Sequence, residues 1–282
     1  MEIGDLVTRT SYDNDIIFRL INVINDNAIL AGIYYRLFAD ANLNDLQNFK
    51  SRQGINEPNR LQSEMRINPL IGIHKQKSTA NHESLLPKRI VKVTPFLSGI
   101  KCGKVLHVDG DSSYLSICMA HYKKLGVHAE GVSLEEIKQP DAISDLYIKY
   151  KPNIVVITGH DSLKKNAEHS MDINDYKNSK YFVESVKKLR EYNDNYDELV
   201  IIAGGCYSHY EELMKAGANF ASSPERKLIN IYDLVNVACK LATTSVKEFL
   251  DFDKLSGEIL SIYGSIGGIE TRGQCRLVNP YY

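Results

Sequence analysis

Short apolar runs alternate with amphipathic segments over the last two thirds of the chain. Strand-sized runs begin at Lys104 (KVLHV), Ile154 (IVVIT) and Leu199 (LVIIA), and shorter ones cover residues 127–132 and 219–222. Segments with helical spacing of apolar residues follow these runs, and they predict helices at residues 113–125, 133–150, 180–192, 208–216 and 233–249. Strands that alternate with helices predict an α/β fold with a mostly parallel sheet and helices on both faces.

The start of the chain has a different pattern. Residues 4–9, 15–24 and 28–38 are rich in β-branched and aromatic side chains, and Asn25-Asp26-Asn27 marks a hairpin turn. Three short strands of this kind predict a small curled sheet, which we interpret as an SH3-like β module at residues 1–45. A docking element and a structural cap on the larger domain are both open roles for this module.

Residues 46–95 lack a sustained apolar period and carry nine Lys or Arg residues against three Glu. We interpret this stretch as a basic, partly flexible linker to an α/β domain at residues 96–282. The charges are too dilute to predict a nucleic-acid interface. The net charge of −1 and the pI near 6.7 give no general attraction to nucleic acid or to membranes.

Two further features concern the cellular compartment. No apolar run approaches the ~20 residues needed to cross a bilayer. The segment Met1–Asp5 lacks the basic start and apolar core of a signal peptide. We therefore expect a cytoplasmic protein without a membrane partner.

The five cysteines show no C-x-x-C spacing, which argues against a disulfide framework and against a closed zinc site. Cys118 and Cys239 lie in apolar helical patterns and are best read as small buried hydrophobes. No cofactor and no metal are expected from the sequence. Cys206 is different because it directly follows a strand and two glycines.

Two predicted strands end in glycines and then present a reactive side chain. VVITGH ends at His160, and VIIAGGC ends at Cys206. Carboxyl ends of neighbouring parallel strands meet at one edge of a sheet, so the imidazole could handle the proton of the thiol. Gly205 would let the backbone approach a substrate carbonyl. Each turn alone is more often structural, but together they predict a nucleophile, Cys206, and a general base, His160. His209 is a rival base that we rank below His160.

These motifs carry a resemblance to known peptidases. The spacing of His160 and Cys206 resembles that in the caspase, clostripain and legumain group, where both residues follow central strands. Over nearly its whole length the chain resembles the YabG family of sporulation peptidases. The blocks behind this resemblance are IGDLVTRTSYDNDIIFRL, KVLHVDGDSSYL, KPNIVVITGHDS, IIAGGCYSHYEEL, ANFASSPERKLINI and SIYGSIGGIETRGQC.

The resemblance implies a cysteine endopeptidase with a caspase-like fold. It implies that the family's catalytic pair is Cys206 and His160, and that the substrates are spore coat and cortex-associated proteins cut after Arg. It places the protein in the mother-cell compartment or the forming spore coat. It also implies self-cleavage, for which we expect sites in the basic linker after Arg52, Arg60 or Arg66.

Three aspartates are further candidates under this resemblance. In caspase-like peptidases a Gly follows the catalytic His and helps to form the oxyanion hole, whereas Asp161 follows it here. Its backbone N–H remains, and its carboxylate could either cap the turn or orient His160. An arginine pocket needs a buried carboxylate, for which Asp109 and Asp111 are placed at a strand end, and we favour Asp111. The alternative is an ordinary turn in which Asp111 caps the next helix.

Two non-enzymatic hypotheses stay open at this point. A receiver-like ligand-binding module would use the strand-end acids Asp109 and Asp111, but no strand-end Lys completes such a site. A structural spore coat protein with a degenerate site is weakened by the presence of both Cys206 and His160. The sequence leaves the oligomeric state open.

Overall fold

The computed structural model describes residues 1–49, 99–164, 171–250, 260 and 264–278. The N-terminal part forms an antiparallel sheet in the spatial order β4-β3-β2-β1-β5. Its strands are β1 (Leu6–Arg9), β2 (Phe18–Ile24), β3 (Asn27–Gly32), β4 (Phe38–Asn42) and β5 (Leu46–Asn48). Alternate residues of these strands form one small core, which consists of Val7, Phe18, Leu20, Ala28, Leu30, Ala41 and Leu46.

The sheet continues past residue 45, because β5 pairs with β1 through Leu46, Gln47 and Asn48. Most of the predicted linker at 46–95 lies outside the described residues. The SH3-like character of the module and the division of the chain into three parts therefore stay predictions.

The predicted third strand at 28–38 was wrong in its extent. β3 ends at Gly32, and the chain leaves the sheet before β4 begins at Phe38. A side chain at Gly32 would collide with the carbonyl oxygen of Tyr35, so glycine permits the tight turn there. Residues 34–36 instead contact the α/β domain, a tertiary interaction that an apolar pattern does not report.

The larger sheet has six strands in the order β12-β11-β10-β9-β7-β8. β7 through β11 run parallel and β12 is antiparallel to β11, which confirms the α/β class with a largely parallel sheet. The strands are β7 (Val105–Asp109), β8 (Ala129–Ser133), β9 (Ile154–Thr158), β10 (Val200–Ala203), β11 (Phe220–Ser222) and β12 (Ile266–Gly268). A separate pair joins β6 (Gly99–Lys101) to β13 (Arg276–Val278).

Helices cover both faces of this sheet. They are α1 (Ser112–Lys124), α2 (Gln139–Tyr150), α3 (Ser179–Tyr192), α4 (Tyr210–Lys215) and α5 (Asp233–Thr243). In β9, Ile154 and Val156 pack with residues of α1 and α5, whereas Val155 and Ile157 pack with residues of α2, α3 and α4. Each fully buried aliphatic side chain of this kind contributes about 1.5–3 kcal/mol. No helix in the described part of the chain is long and apolar enough to span a membrane.

Two helices differ from the predicted bounds by more than two residues at one end. α2 starts at Gln139 instead of residue 133, since Ser133 still belongs to β8 and Pro140 lies in the first helical turn. α5 stops at Thr243 instead of residue 249. The hydroxyls of Thr243 and Thr244 donate to the carbonyl of Lys240 and so compete with the continuing helix.

Candidate active site

The ends of three adjacent strands form the edge where the candidate residues lie. Asp109 ends β7 and is in register with Thr158 of β9, which in turn lies beside β10. The hydroxyl of Thr158 donates to the carbonyl of Gly204 at 2.9 Å and ties the two turns together. A side chain at Gly205 would collide with the carbonyl oxygen of Gly159. The glycines thus let the turns after β9 and β10 approach closely.

Cys206 is buried, with 2% of its surface exposed. Its Sγ accepts a hydrogen bond from the Ile229 N–H at 3.4 Å. Burial raises the pKa of the Cys206 thiol, while the backbone N–H of Ile229 and the charge of Arg36 act in the opposite direction. In the described part of the chain no hydrogen bond joins the sulfur to His160. The two residues follow neighbouring parallel strands.

His160 is held from two sides. Its backbone N–H donates to Glu136 Oε1 at 2.7 Å, and its Nε2 lies 3.0 Å from Asp111 Oδ2. The hydrogen bond from His160 lowers the pKa of Asp111 below the ordinary carboxyl value, so Asp111 is an ionised acceptor. The Nε2 therefore carries the proton and donates, which leaves Nδ1 as the basic nitrogen.

Asp111 has a second role in the same place. Its Oδ1 accepts the backbone N–H groups of Ser113 and Tyr114 at 2.8 and 3.1 Å, so it is the N-cap of α1. The helix start therefore fixes the carboxylate that orients the imidazole. The sequence indicated the cap, but it did not indicate the contact between Asp111 and His160.

Asp109 binds an arginine that the sequence analysis missed. Arg36, in the turn between β3 and β4, makes a bidentate ion pair with it, in which Nη1 lies 2.7 Å from Oδ1 and Nη2 contacts Oδ2. Burial alone would raise the pKa of Asp109, but the charge of Arg36 and its hydrogen bonds outweigh burial and hold the pKa well below its ordinary value. His107 Nε2 also lies 3.5 Å from Asp109 Oδ2. An isolated Arg within the apolar and aromatic stretch AILAGIYYRLF was the available signal.

Asp161 holds the surrounding loop together. Its carboxylate accepts the backbone N–H groups of Ser162 and Asn178 and the hydroxyls of Ser179 and Ser208. Burial raises the pKa of Asp161 in spite of these bonds. Its side chain thus fixes the segment before α3 to the turn after Cys206, and it makes no hydrogen bond with the His160 ring in the part of the chain described.

Two backbone N–H groups next to Cys206 and His160 are available for an oxyanion. Within the described ranges, neither Cys206 nor Asp161 uses its backbone N–H in a hydrogen bond. The N–H of Gly205, in contrast, donates to Ser208 Oγ at 2.8 Å. The geometry therefore offers the amides of residues 206 and 161.

Both ring nitrogens of His209 have partners other than the sulfur. Its Nε2 donates to the carbonyl of Met171 at 2.8 Å, and its Nδ1 accepts the N–H of Glu212 at the start of α4. The ring also packs against Tyr176, with 5.0 Å between centroids and a tilt of 49° between the planes. These contacts make His209 a helix cap.

The side chains of His107, Asp109 and Cys118 bring three potential metal-ligand atoms within 4.8 Å of one another. The Arg36 guanidinium already pairs with Asp109, and its Nη2 lies 3.8 Å from Cys118 Sγ. A cation at this place would meet the positive charge of Arg36, so the group is better described as the lining of an arginine pocket.

Comparison with known proteins adds the family. The model of the YabG peptidase U57 family matches residues 2–280 of the chain. The sporulation-specific protease YabG of Bacillus subtilis (strain 168) is 38% identical to it, over 99% of this chain and 98% of that protein. Both matches include the N-terminal sheet as well as the α/β domain.

Proposed function

The chain belongs to the YabG peptidase family and is a sporulation-associated peptidase, and from this premise we propose that it is a cysteine endopeptidase with Cys206 as nucleophile and His160 as general base. The observation that carries the proposal is that Cys206 and the hydrogen-bonded Asp111–His160 pair follow adjacent strands of one largely parallel sheet. A caspase-like chain topology is part of this proposal.

The proposed reaction uses Nδ1 of His160 as the base and the backbone N–H groups of Cys206 and Asp161 as oxyanion donors. Nδ1 of His160 takes the thiol proton as the sulfur of Cys206 attacks the substrate carbonyl. The amides of Cys206 and Asp161 stabilise the oxyanion. The imidazolium, held by Asp111, gives its proton to the leaving amine. Water then attacks the thioester with the same imidazole as base, and this step releases the acid product and restores the thiol.

We assign arginine recognition to Asp109. A buried carboxylate that already holds a guanidinium by two parallel hydrogen bonds has the geometry that an arginine substrate requires. Asp111, which the sequence favoured, has both oxygens engaged by His160 and by the start of α1. The receiver-like alternative also loses support. Such a module would need the carboxylates of Asp109 and Asp111 free for a ligand, but Arg36 neutralises Asp109 and Asp111 is engaged by His160 and by the start of α1.

The proposals on substrates, cellular compartment and self-cleavage rest on the family to which the chain belongs. We propose that the substrates are spore coat and cortex-associated proteins, and that the enzyme acts in the mother-cell compartment or the forming coat. Self-cleavage after Arg52, Arg60 or Arg66 belongs to the same proposal, and these arginines lie outside the described residues.

The test uses purified Cys206→Ala and His160→Ala beside two matched controls, Cys102→Ala and His128→Ala. Each variant is assayed on otherwise identical peptides with Arg, Lys or Asp before the cut. The catalytic variants should lose several orders of magnitude in kcat/KM on the Arg peptide, while the controls keep it. Near-normal turnover by folded Cys206→Ala or His160→Ala would refute the assignment.

A further inference from the structure

The turn that carries Arg36 lies against the α/β domain as a bound peptide would. Tyr35 forms an antiparallel bridge with Asn230, and the N–H of Ile231 donates to the carbonyl of Tyr34 at 2.9 Å. Addition of an extended segment beside such an edge is a common mode of peptide recognition. Residues 34–36 thus run beside residues 229–231 in the manner of an added strand.

The same turn and the next residue, Phe38, contact three parts of the proposed site. The Arg36 side chain pairs with Asp109, and the turn runs beside residues 229–231, in which the Ile229 N–H donates to the sulfur of Cys206. Two residues after Arg36, the ring of Phe38 lies 5.1 Å from the ring of His160. The chain from Tyr35 to Phe38 thus reaches both the segment that binds the nucleophile and the ring of the proposed base.

The burial of Arg36 supports a role beyond holding two units together. Its surface is 3% exposed, and within the described part of the chain its Nε has no hydrogen-bond partner. A buried ion pair is often no more stabilising than an apolar pair of similar size, so stability alone does not explain an arginine here. Tyr114, whose ring lies 5.2 Å from the guanidinium, completes a pocket that fits an arginine side chain.

We propose that the turn from Gly32 to Leu37 is a built-in substrate mimic that occupies the active site of its own chain and keeps Cys206 covered. The proposal rests on the proposed function, since it takes the Asp109 pocket as the seat of the substrate arginine. In this state an external substrate binds only when the turn leaves, with Arg36 as its main anchor.

The turn is held in its shape by its own hydrogen bonds. The N–H of Gly32 donates to the carbonyl of Leu37 at 2.7 Å, and the N–H of Leu37 donates to the carbonyl of Tyr35 at 2.8 Å. The Tyr114 hydroxyl donates to the carbonyls of Gly32 and Tyr35, both at 3.1 Å. A preorganised turn with anchored ends stays in place with little further loss of entropy, which is the property an inhibitor needs.

The first measurement follows Cys206 itself. The full-length wild type, Arg36→Ala and a control, Arg19→Ala, are treated with iodoacetamide, and the modification of Cys206 is timed by peptide mass mapping. Arg19 is an exposed arginine of the same sheet. Arg36→Ala should speed the modification by about tenfold or more. This factor corresponds to about 1.4 kcal/mol by which the Arg36 side chain favours the bound state of the turn. Arg19→Ala should match the wild type.

A second measurement separates release of the turn from unfolding. Nα-acetyl-L-arginine amide, added to Arg36→Ala, should fill the vacated pocket and slow the modification of Cys206, whereas the glycine analogue should not. Loss of structure would instead make Cys118 and Cys239 reactive, and these serve as internal reporters because both are buried. If Arg36→Ala does not fold, Arg36→Lys keeps the positive charge, loses the bidentate geometry and should give a smaller rise.

The outcomes distinguish this inference from the proposed function. Faster modification of Cys206, together with a higher kcat/KM on an Arg peptide, supports both. Faster, arginine-reversible modification without hydrolysis by any variant supports the seated turn and rejects the peptidase assignment of these residues. Unchanged modification of Cys206 in a folded Arg36→Ala or Arg36→Lys overturns the mimic, and so does an unchanged kcat/KM of Arg36→Ala when the wild type hydrolyses the Arg peptide.

Discussion

At the scale of single residues, two aspartates at one strand end have different partners. Asp109 is fully buried and pairs with Arg36, while Asp111 lies nearer the surface and pairs with His160. The sequence DGD identifies both as strand-end acids, but the choice between them depends on Arg36, which lies 73 positions before Asp109. A pattern within the α/β segment could not predict that partner.

Asp111→Asn should lower kcat on an Arg peptide about 10²–10⁴-fold while KM changes little, because the amide no longer fixes the imidazole tautomer. The fold should persist, since Asn is also a good N-cap. Stopped-flow hydrolysis and circular dichroism measure the two quantities. A raised KM with an unchanged kcat would instead favour the direct contact between Asp111 and substrate that the sequence first suggested.

Asp109→Asn should lower the free energy of unfolding by about 3–5 kcal/mol, because it leaves the Arg36 guanidinium buried without its counter-charge. Urea denaturation at pH 7 measures the change. Asp141→Asn is the matched control, because its exposed pair with Lys188 should contribute little to the unfolding midpoint. Equal midpoints for the wild type and Asp109→Asn would show that the ion pair does not form.

The same ion pair predicts a dependence of stability on pH. The folded-state pKa of Asp109 is lowered, so the stability from its ionised form is complete above the ordinary carboxyl value of about 3.9 and is lost as the pH falls through the lowered pKa. The difference between the wild type and Asp109→Asn should stay constant from pH 7 to pH 5 and shrink at about pH 3 and below. A constant difference down to pH 2 would contradict this.

At the scale of elements, much of the α/β domain could be predicted and the errors have physical causes. β7, β9 and β10 are continuous apolar runs because parallel strands are buried on both faces, and such runs are easy to recognise. The third strand of the N-terminal sheet was misjudged because residues 34–36 bind another part of the chain. Tertiary contacts of this kind override a local pattern and often mark functional segments.

The described loop residues 162–164 and 171–178 are held by one buried carboxylate, that of Asp161. Asp161→Ala would remove the acceptor for Ser162, Asn178, Ser179 and Ser208, and each buried donor left unpaired costs about 1–3 kcal/mol. We expect at least about 2 kcal/mol of destabilisation and faster amide exchange at Asn178. Ser116→Ala, on the exposed side of α1, is the control. Unchanged exchange would show that the carboxylate does not hold this loop.

At the scale of the whole molecule, the N-terminal sheet and the α/β domain are joined twice. Residues 50–98 connect them along the chain, and the Arg36 turn connects them in space through Asp109, Tyr114 and the segment 229–231. The family match over residues 2–280 includes both units. Because the Arg36 turn binds the α/β domain, we expect the N-terminal sheet and the α/β domain to stay together when the chain between them is cut.

We expect wild-type protein to cut itself after Arg52, Arg60 or Arg66 and the two fragments to stay together. Mass spectrometry should find N-terminal fragments ending in one of these arginines in the wild type and not in Cys206→Ala purified in the same way. Native size-exclusion chromatography should then elute both fragments as one species, because Arg36 remains buried at Asp109 after the cut. In a self-cut Arg36→Ala the fragments should separate, while in Arg19→Ala they should not. Identical fragments from Cys206→Ala would show that another protease made the cut, and separate elution of the wild-type fragments would show that the Arg36 turn does not hold the units together.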